Sequence, residues 1–336
     1  MEPLLVLTTE GLYCPQGDFY IDPRGKVRRA IITHAHSDHA RAGHQYYLCH
    51  THTAPLLKQR LGAHIRIETL PYGETISIQG VQVSLHPAGH VIGSAQVRLC
   101  FRDQVWVVSG DYKVIDDGLT PAFEPIRCHV FVTESTFGMP VYHWAKQEVL
   151  QQRLMEWIQQ VRTQGQIPVL IGYSLGKAQR LLHMLKDEGL PCWLHPSVYA
   201  IHETLITHHP ELKQKLPPVH LFQPPGNRQL LQDGILLIPP AVRHAGWLNR
   251  LEPYATAYCS GWMQIRGHAR QRTTDAAFAI SDHADWPGLL AAITATQAEE
   301  VWVTHGYAHI LARYLREEQH IRAIDLSFPF SEEQEE

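Results

Sequence analysis

Thr33-His34-Ala35-His36-Ser37-Asp38-His39 follows directly on the apolar run Ala30-Ile31-Ile32, and four potential metal ligands crowd into its last six positions. Residues two apart on an extended segment point the same way, so His34 and His36 can grip one ion. The chain must then turn, and Asp38 with His39 can present to a second ion nearby. The bland alternative is a polar loop whose histidines face solvent.

A binuclear site needs more ligands, and the chain offers them after further apolar runs. PAGH places His90 after VQVSLHP (81–87), VVSGD places Asp111 after QVWVV, and VWVTH ends on His305. A carboxylate at Asp111 can bridge two cations through its two oxygens. Each residue taken singly reads more readily as structural, but all follow β-like runs close to a glycine, which suits convergence at one sheet edge. Mixed His/Asp ligands suit zinc, and are also compatible with manganese or iron. Two cations about 4 Å apart lower the pKa of a shared water, giving hydroxide at neutral pH, and polarise a phosphoryl oxygen. A phosphodiester leaving group also needs a proton, so an acid is expected nearby.

Composition frames this reading. The 336 residues carry 44% hydrophobic and 18% charged residues, a globular balance that excludes disorder. Histidine is the outlier, with 23 against 29 Lys and Arg combined. The net charge of −4 gives no overall basic footprint for nucleic acid. No run approaches the roughly 20 apolar residues of a membrane helix, and the N-terminus has no basic segment of a signal peptide. Six cysteines lie far apart with no CxxC pair. They read as reduced thiols, and the expected location is the cytoplasm.

Along the chain, short β-runs dominate up to about residue 142. They include 4–8, 27–33, 45–49, 65–70, 81–87, 95–101, 104–110 and 129–134, many apolar nearly throughout, as in strands covered on both faces. From KQEVLQQRLMEWIQQV (146–161) onward helical periodicity alternates with β-runs, which suggests a parallel α/β unit. From 277 the pattern is strand (FAIS), helix with Asp285 as N-cap, strand and helix. The expected organisation is a discontinuous first domain, 1–142 and 278–336, interrupted by an α/β insert at 143–277. The tail SEEQEE reads as a solvated end.

HAHSDH, His90, Asp111 and His305 together resemble the metallo-β-lactamase superfamily, and TESTFG, SDHAD and VTHG narrow the resemblance to its β-CASP nucleases. The resemblance covers nearly the whole chain. It implies an αββα sandwich with an inserted α/β (β-CASP-like) substrate domain. It also implies His34, His36 and His90 on one metal, Asp38, His39 and His305 on the other, and Asp111 bridging. His283 is then the proton donor to the leaving oxygen, oriented by Glu134, and Asp38 counts among the catalytic residues as well as the ligands. GYSLGKAQRL, SGW and SDHADW are most similar to the bacterial ligase-associated DNA exonucleases. Their likeness implies a two-zinc (or manganese) hydrolase acting on single-stranded or end-containing DNA in repair, with a functional link to an ATP-dependent DNA ligase. TESTFG is closer to the RNA-cleaving branch, which keeps an RNA-processing nuclease as the alternative. A non-catalytic zinc-holding scaffold is the reading from another class, disfavoured because every ligand and the acid are retained.

Two further features bear on substrate. GYSLGKA (172–178) lies between a strand and a helix, where helix N–H groups, Ser174 and Lys177 could clamp a phosphate. It is not a Walker A loop, because only three residues separate Gly172 from Gly176 and Ala follows the Lys. Arg243, Arg250, Arg266, Arg270 and Arg272, interleaved with Trp247, Tyr254, Tyr258 and Trp262, would suit a single strand, with a core-plus-solvated-face reading as the even alternative. The remaining histidines, among them His44, His50, His52 and His86, read as bystanders.

Overall fold

A computed structural model describes residues 3–265 and 274–326. These form two compact units, the first from residues up to His143 and from His283 onward, the second from Trp144 to Asp282.

The first unit opens with a six-stranded sheet in the order β1 (Val6–Thr8), β2 (Gly11–Cys14), β3 (Phe19–Ile21), β4 (Arg29–Ile32), β5 (Tyr46–Cys49) and β6 (Ile67–Thr69). A short helix, α1 (Ala54–Leu61), connects β5 to β6. The pairs β1–β2–β3 are antiparallel, whereas β3 to β6 run parallel. A second sheet follows with β7 (Thr75–Ile78), β8 (Val81–Pro87), β9 (Ala95–Phe101), β10 (Gln104–Val108) and β11 (Val130–Glu134). Its first four strands are antiparallel neighbours, and β10 pairs parallel with β11.

The second unit carries α2 (Gln147–Thr163), β12 (Ile167–Ile171), α3 (Lys177–Leu185), β13 (Cys192–Leu194), α4 (Pro196–His208), β14 (Val219–Leu221), β15 (Ile235–Ile238), β16 (Tyr254–Cys259) and β17 (Ala276–Phe278). Its strands form one all-parallel sheet in the order β14-β13-β15-β12-β16-β17. The inner strands IPVLI and ILLI are buried at every position, as a parallel sheet covered on both faces requires. The run FAIS, expected to begin the return to the first domain, instead starts with Phe278 paired to Cys259 in this sheet. The passage back to the first unit therefore comes at His283 rather than 278.

After that passage α5 (Trp286–Thr296), β18 (Glu300–Thr304), α6 (Ala308–Glu317) and β19 (Arg322–Asp325) complete the first unit. Asp285 caps α5, its carboxylate accepting the Gly288 N–H at 2.9 Å. The parallel pairs β11–β18 and β18–β19 extend the second sheet to seven strands. Side chains alternate along its central strands. Trp106, Val108, Val130 and Val132 face a core shared with Phe19, Ile21 and Ile31 of the first sheet. Val107 and Phe131 face the opposite way, into a core built with Leu289 and Ile293 of α5 and Leu311 and Leu315 of α6. Both faces are thus covered, which explains why these runs are apolar without a break. All six cysteines are free thiols, and among the described residues no helix is long and apolar enough to cross a membrane.

Candidate metal centre

One edge of the second sheet collects the chemistry. β8, β10, β11 and β18 all run toward that edge, since β8 and β10 both lie antiparallel to β9 and the others are parallel to β10. Their exits carry His90, Asp111, Glu134 and His305 in turn. The first sheet arrives at the same edge, because the Thr33 carbonyl that follows β4 accepts the N–H of Ala95, where β9 starts. Ligands at the carboxyl ends of parallel strands are the ordinary outcome of such sheets.

Donor atoms of His34, His36, His90 and Asp111 lie within 4.8 Å of one another. His36 Nδ1 is 3.1 Å from both His34 Nε2 and His90 Nε2. Asp111 Oδ2 is 3.5 Å from His34 Nε2 and 3.7 Å from His90 Nε2. A tetrahedral zinc with bonds of about 2.1 Å holds neighbouring ligand atoms about 3.4 Å apart, so this set fits a zinc-sized ion. Beside it, His39 Nε2 lies 3.3 Å from the same Asp111 oxygen and 3.5 Å from Asp38 Oδ2. That nitrogen is buried and has no hydrogen-bond partner among the described residues, which leaves it available to a cation. His305 stacks on the His39 ring with centroids 5.2 Å apart. Asp111 therefore touches both groups of ligands. Burial works against its charge, but His39, His283 and His34 prevail and hold the carboxyl well below the usual carboxylate range. For His39 burial again opposes the charge, and Asp111, Asp38 and Asp22 raise its pKa well above the ordinary value. Burial keeps His34 and His305 neutral, the form that binds metal.

Side chains outside the ligand set fix these rings. Asp22, one residue past β3, accepts from His39 Nδ1 at 2.7 Å, from Thr33 Oγ1 at 2.6 Å and from the Thr33 N–H at 2.8 Å. Asp22 thus turns His39 Nε2 inward. Nothing in FYIDPRG distinguished Asp22 from a turn residue. Thr304 Oγ1 lies 3.0 Å from His305 Nδ1, and Ser135 donates to the Thr304 and His305 carbonyls. His305 and Gly306 are both left-handed, and a Cβ on Gly306 would fall 2.4 Å from the Ser135 carbonyl oxygen. Only glycine lets the chain turn so close to Ser135.

His283 stands next to the cluster, its ring 4.5 Å from that of His90. Its Nδ1 lies 2.9 and 3.0 Å from the two oxygens of Glu134. Glu134 is itself anchored, accepting the N–H groups of Tyr112 at 2.8 Å and Thr136 at 3.2 Å. The bystander histidines have other work: His44 Nδ1 accepts the Val27 N–H, and His50 stacks on Tyr72.

No protein-family model matches the chain. Sequence relatives are nonetheless clear. The probable DNA ligase of Opitutus terrae is 32% identical over 317 residues, which is 94% of this chain and 30% of the ligase. Cleavage and polyadenylation specificity factor 73 of Drosophila melanogaster is 30% identical over 124 residues, 36% of this chain and 18% of that protein. RNase aCSPSF2 of Saccharolobus solfataricus is 25% identical over 197 residues, 50% of this chain and 40% of the RNase. Relatives of this kind are β-CASP nucleases of the metallo-β-lactamase superfamily, the group that this chain resembles. The chain spans well under two thirds of the length of each of these β-CASP relatives and of the ligase. In architecture it matches a crystal structure of a protein of unknown function from Enterococcus faecalis, with a TM-score of 0.60 at 14% identity over 88% of this chain and 78% of the other.

In the second unit the groups of the loop before α3 that were expected to clamp a phosphate have partners within the unit. Lys177 is buried, its Nζ 2.9 Å from Asp282 Oδ2, with Arg180 3.5 Å from the other oxygen. The Gly176 N–H at the helix start is taken by Gln179 Oε1 at 2.7 Å. The cation and helix N–H expected to meet a phosphate are thus engaged within the unit, and Ser174, half-buried, is the accessible group of the pair. In the arginine-aromatic stretch, Tyr258 is core, while Trp247, Tyr254 and Trp262 pack half-buried against that core. Arg250 is exposed and Arg243 half-buried. Arg266, Arg270 and Arg272 lie outside the described residues.

Two outcomes follow from these contacts. Lys177→Ala leaves the buried Asp282 short of a cation and should lower the unfolding free energy by about 3 kcal/mol in urea titrations; an unchanged midpoint together with weaker nucleic-acid binding would make Lys177 a substrate contact instead. Asp22→Asn should weaken zinc binding by about 10–100-fold in chelator competition, and wild-type affinity would remove Asp22 from the centre.

Proposed function

We propose that this chain is a two-metal hydrolase of nucleic-acid phosphodiester bonds, acting on DNA ends as an exonuclease in repair. The observation that carries this reading is one buried carboxylate, Asp111, in reach of two groups of imidazoles, with a carboxylate-backed histidine alongside. His34, His36 and His90 would hold one ion, Asp38, His39 and His305 the other, and Asp111 would bridge. Zinc suits the donor set, and manganese is compatible with it. When bound, the ions supply an acidified water and polarise the phosphoryl oxygen.

The residues of the chain do the rest. The His283 side chain is 20% exposed while its partner Glu134 is 2% exposed, so the imidazole can meet a substrate and the carboxylate cannot. Glu134 holds Nδ1, steadies the charged ring and leaves Nε2 to give a proton to the departing oxygen. Asp38, 3.5 Å from His39 Nε2, would help to hold the second ion. The first unit is then the αββα catalytic sandwich and the insert, 143–277 in the sequence reading, the substrate domain, with Ser174 and the arginine-aromatic stretch as its contacts.

DNA is favoured over RNA by extent. Similarity to the ligase runs over 94% of the chain, against 36% and 50% for the two RNA-processing relatives. That ligase also supports a working link to DNA joining, with single-stranded or end-containing DNA as the substrate. RNA processing is the alternative that the names of those two relatives support.

End-labelled single-stranded DNA and RNA, bearing 5′-phosphate or 5′-hydroxyl ends, should be offered to zinc- or manganese-loaded protein. DNA shortened stepwise from an end is expected, with chelator abolishing it; faster turnover of RNA would overturn the DNA assignment. Asp111→Asn should fold normally and lose nearly all activity. His283→Ala should keep its metal, slow cleavage by about 10²–10⁴-fold, and lose far less on bis(p-nitrophenyl) phosphate, whose leaving group needs no proton. Loss of an ion from that variant would make His283 a ligand.

A further inference from the structure

We propose that Arg60 is a positioning residue for the metal centre, the working end of a strut formed by α1. This rests on the two-metal reading. The Arg60 guanidinium donates to the carbonyls of Ala35 and Ala40, which bracket the segment bearing His36, Asp38 and His39. Both alanines are buried, and the segment is closed upon itself by the Ala40 N–H donating to the His36 carbonyl at 2.9 Å. A planar fork across two carbonyls fixes their separation, which a single ammonium cannot do.

The other end of α1 holds the other ligand loop. Thr53, its N-cap residue, donates from Oγ1 to the Gly93 carbonyl at 2.8 Å. Gly93 belongs to the turn that follows His90, where Ser94 Oγ accepts the N–H groups of His90 at 3.1 Å and Val91 at 3.2 Å. A Cβ on Gly93 would fall 2.6 Å from Thr53 Oγ1, so this approach is as close as the backbone allows. The eight residues of α1 make a rod about 12 Å long. Ala54, Leu56 and Leu57 bury its inner face. The rod therefore spaces the His34–His39 segment from the His90 turn, and those two segments supply the three imidazoles of the first ion. The guanidinium sits in the last helical turn, where a cation also suits the helix dipole.

Zinc affinity by chelator competition and amide hydrogen exchange of the metal-free protein test this without nucleic acid. Arg60→Ala should bind the first zinc about tenfold or more weakly and exchange the amides of 36–40 faster, with the rest of the unit protected as in wild type. Its kcat should recover at saturating zinc. Arg60→Lys keeps the charge and should restore only part of the affinity. Wild-type zinc affinity in Arg60→Ala would overturn the proposal, as would full rescue by lysine or an equal loss of protection across the whole unit. If Arg60→Ala does not fold, Arg60→Lys decides by the same two measurements. A protein whose zinc binding depends on Arg60 but which cleaves neither DNA nor RNA would leave this proposal standing and refute the nuclease reading.

Discussion

A carboxylate that is 6% exposed, Asp111, sits among the rings of His34, His39 and His90, and the first unit is organised around keeping it there. A buried charge is expensive unless matched by opposite charge or by metal. Here the imidazoles alone match it imperfectly. His34 is driven neutral by burial while His39 is driven toward its charged form. The proposed cations would complete the balance, and the donors already lie close together without them. Preorganisation of this kind is visible in the supporting contacts: Asp22 on His39, Thr304 and Ser135 at His305, and the Glu134 carboxylate pinned by two backbone N–H groups.

Sheet topology explains why such distant residues meet. Three adjacent parallel strands deliver Asp111, Glu134 and His305 to one edge, and the antiparallel hairpin of β8 and β9 brings His90 to it as well. Parallel strands need long crossovers, and the crossover from β11 to β18 contains the whole second unit. An insertion at that point leaves the β11–β18 pairing in place, with Val130 to Glu134 in register with Glu300 to Thr304.

The clustered donors of the candidate site were legible because metal chemistry leaves dense local marks. HAHSDH concentrates its donors, and His90, Asp111 and His305 each follow an apolar run ending near glycine. The long uniformly apolar strands were legible for a similar reason, since a strand covered on both faces has no polar side to blur it. The rest was written in contacts far apart in sequence. Asp22 lies 17 residues from the His39 it orients, and Arg60 lies 25 and 20 residues from the carbonyls it clamps. One reads locally as a turn aspartate and the other as a solvated helix cation. β2 and β3 are three or four residues long, and β16 is the run YATAYC, whose Ala and Thr give little apolar signal. Its aromatics read equally as a binding surface or as core, and Tyr258 is core. Lys177 shows the opposite case: glycine, serine and lysine before a helix resemble a phosphate cradle, and the ion pair with Asp282, far along the chain, is invisible locally.

The proposed acid is tied to the same scaffold as the ligands. Glu134 takes one of its two N–H bonds from Tyr112, the residue after Asp111, and the other from Thr136, the residue after the serine that pins His305. His283 is therefore indexed to Asp111 on one side and to His305 on the other, the residues proposed to bridge the ions and to hold the second. Errors in the placement of either segment would displace acid and ions together, preserving their mutual spacing. For a reaction in which a proton must reach the leaving oxygen as the phosphoryl group is polarised, relative position matters more than absolute position. A carboxylate shared by two backbone segments fixes that relative position without itself needing to touch the substrate.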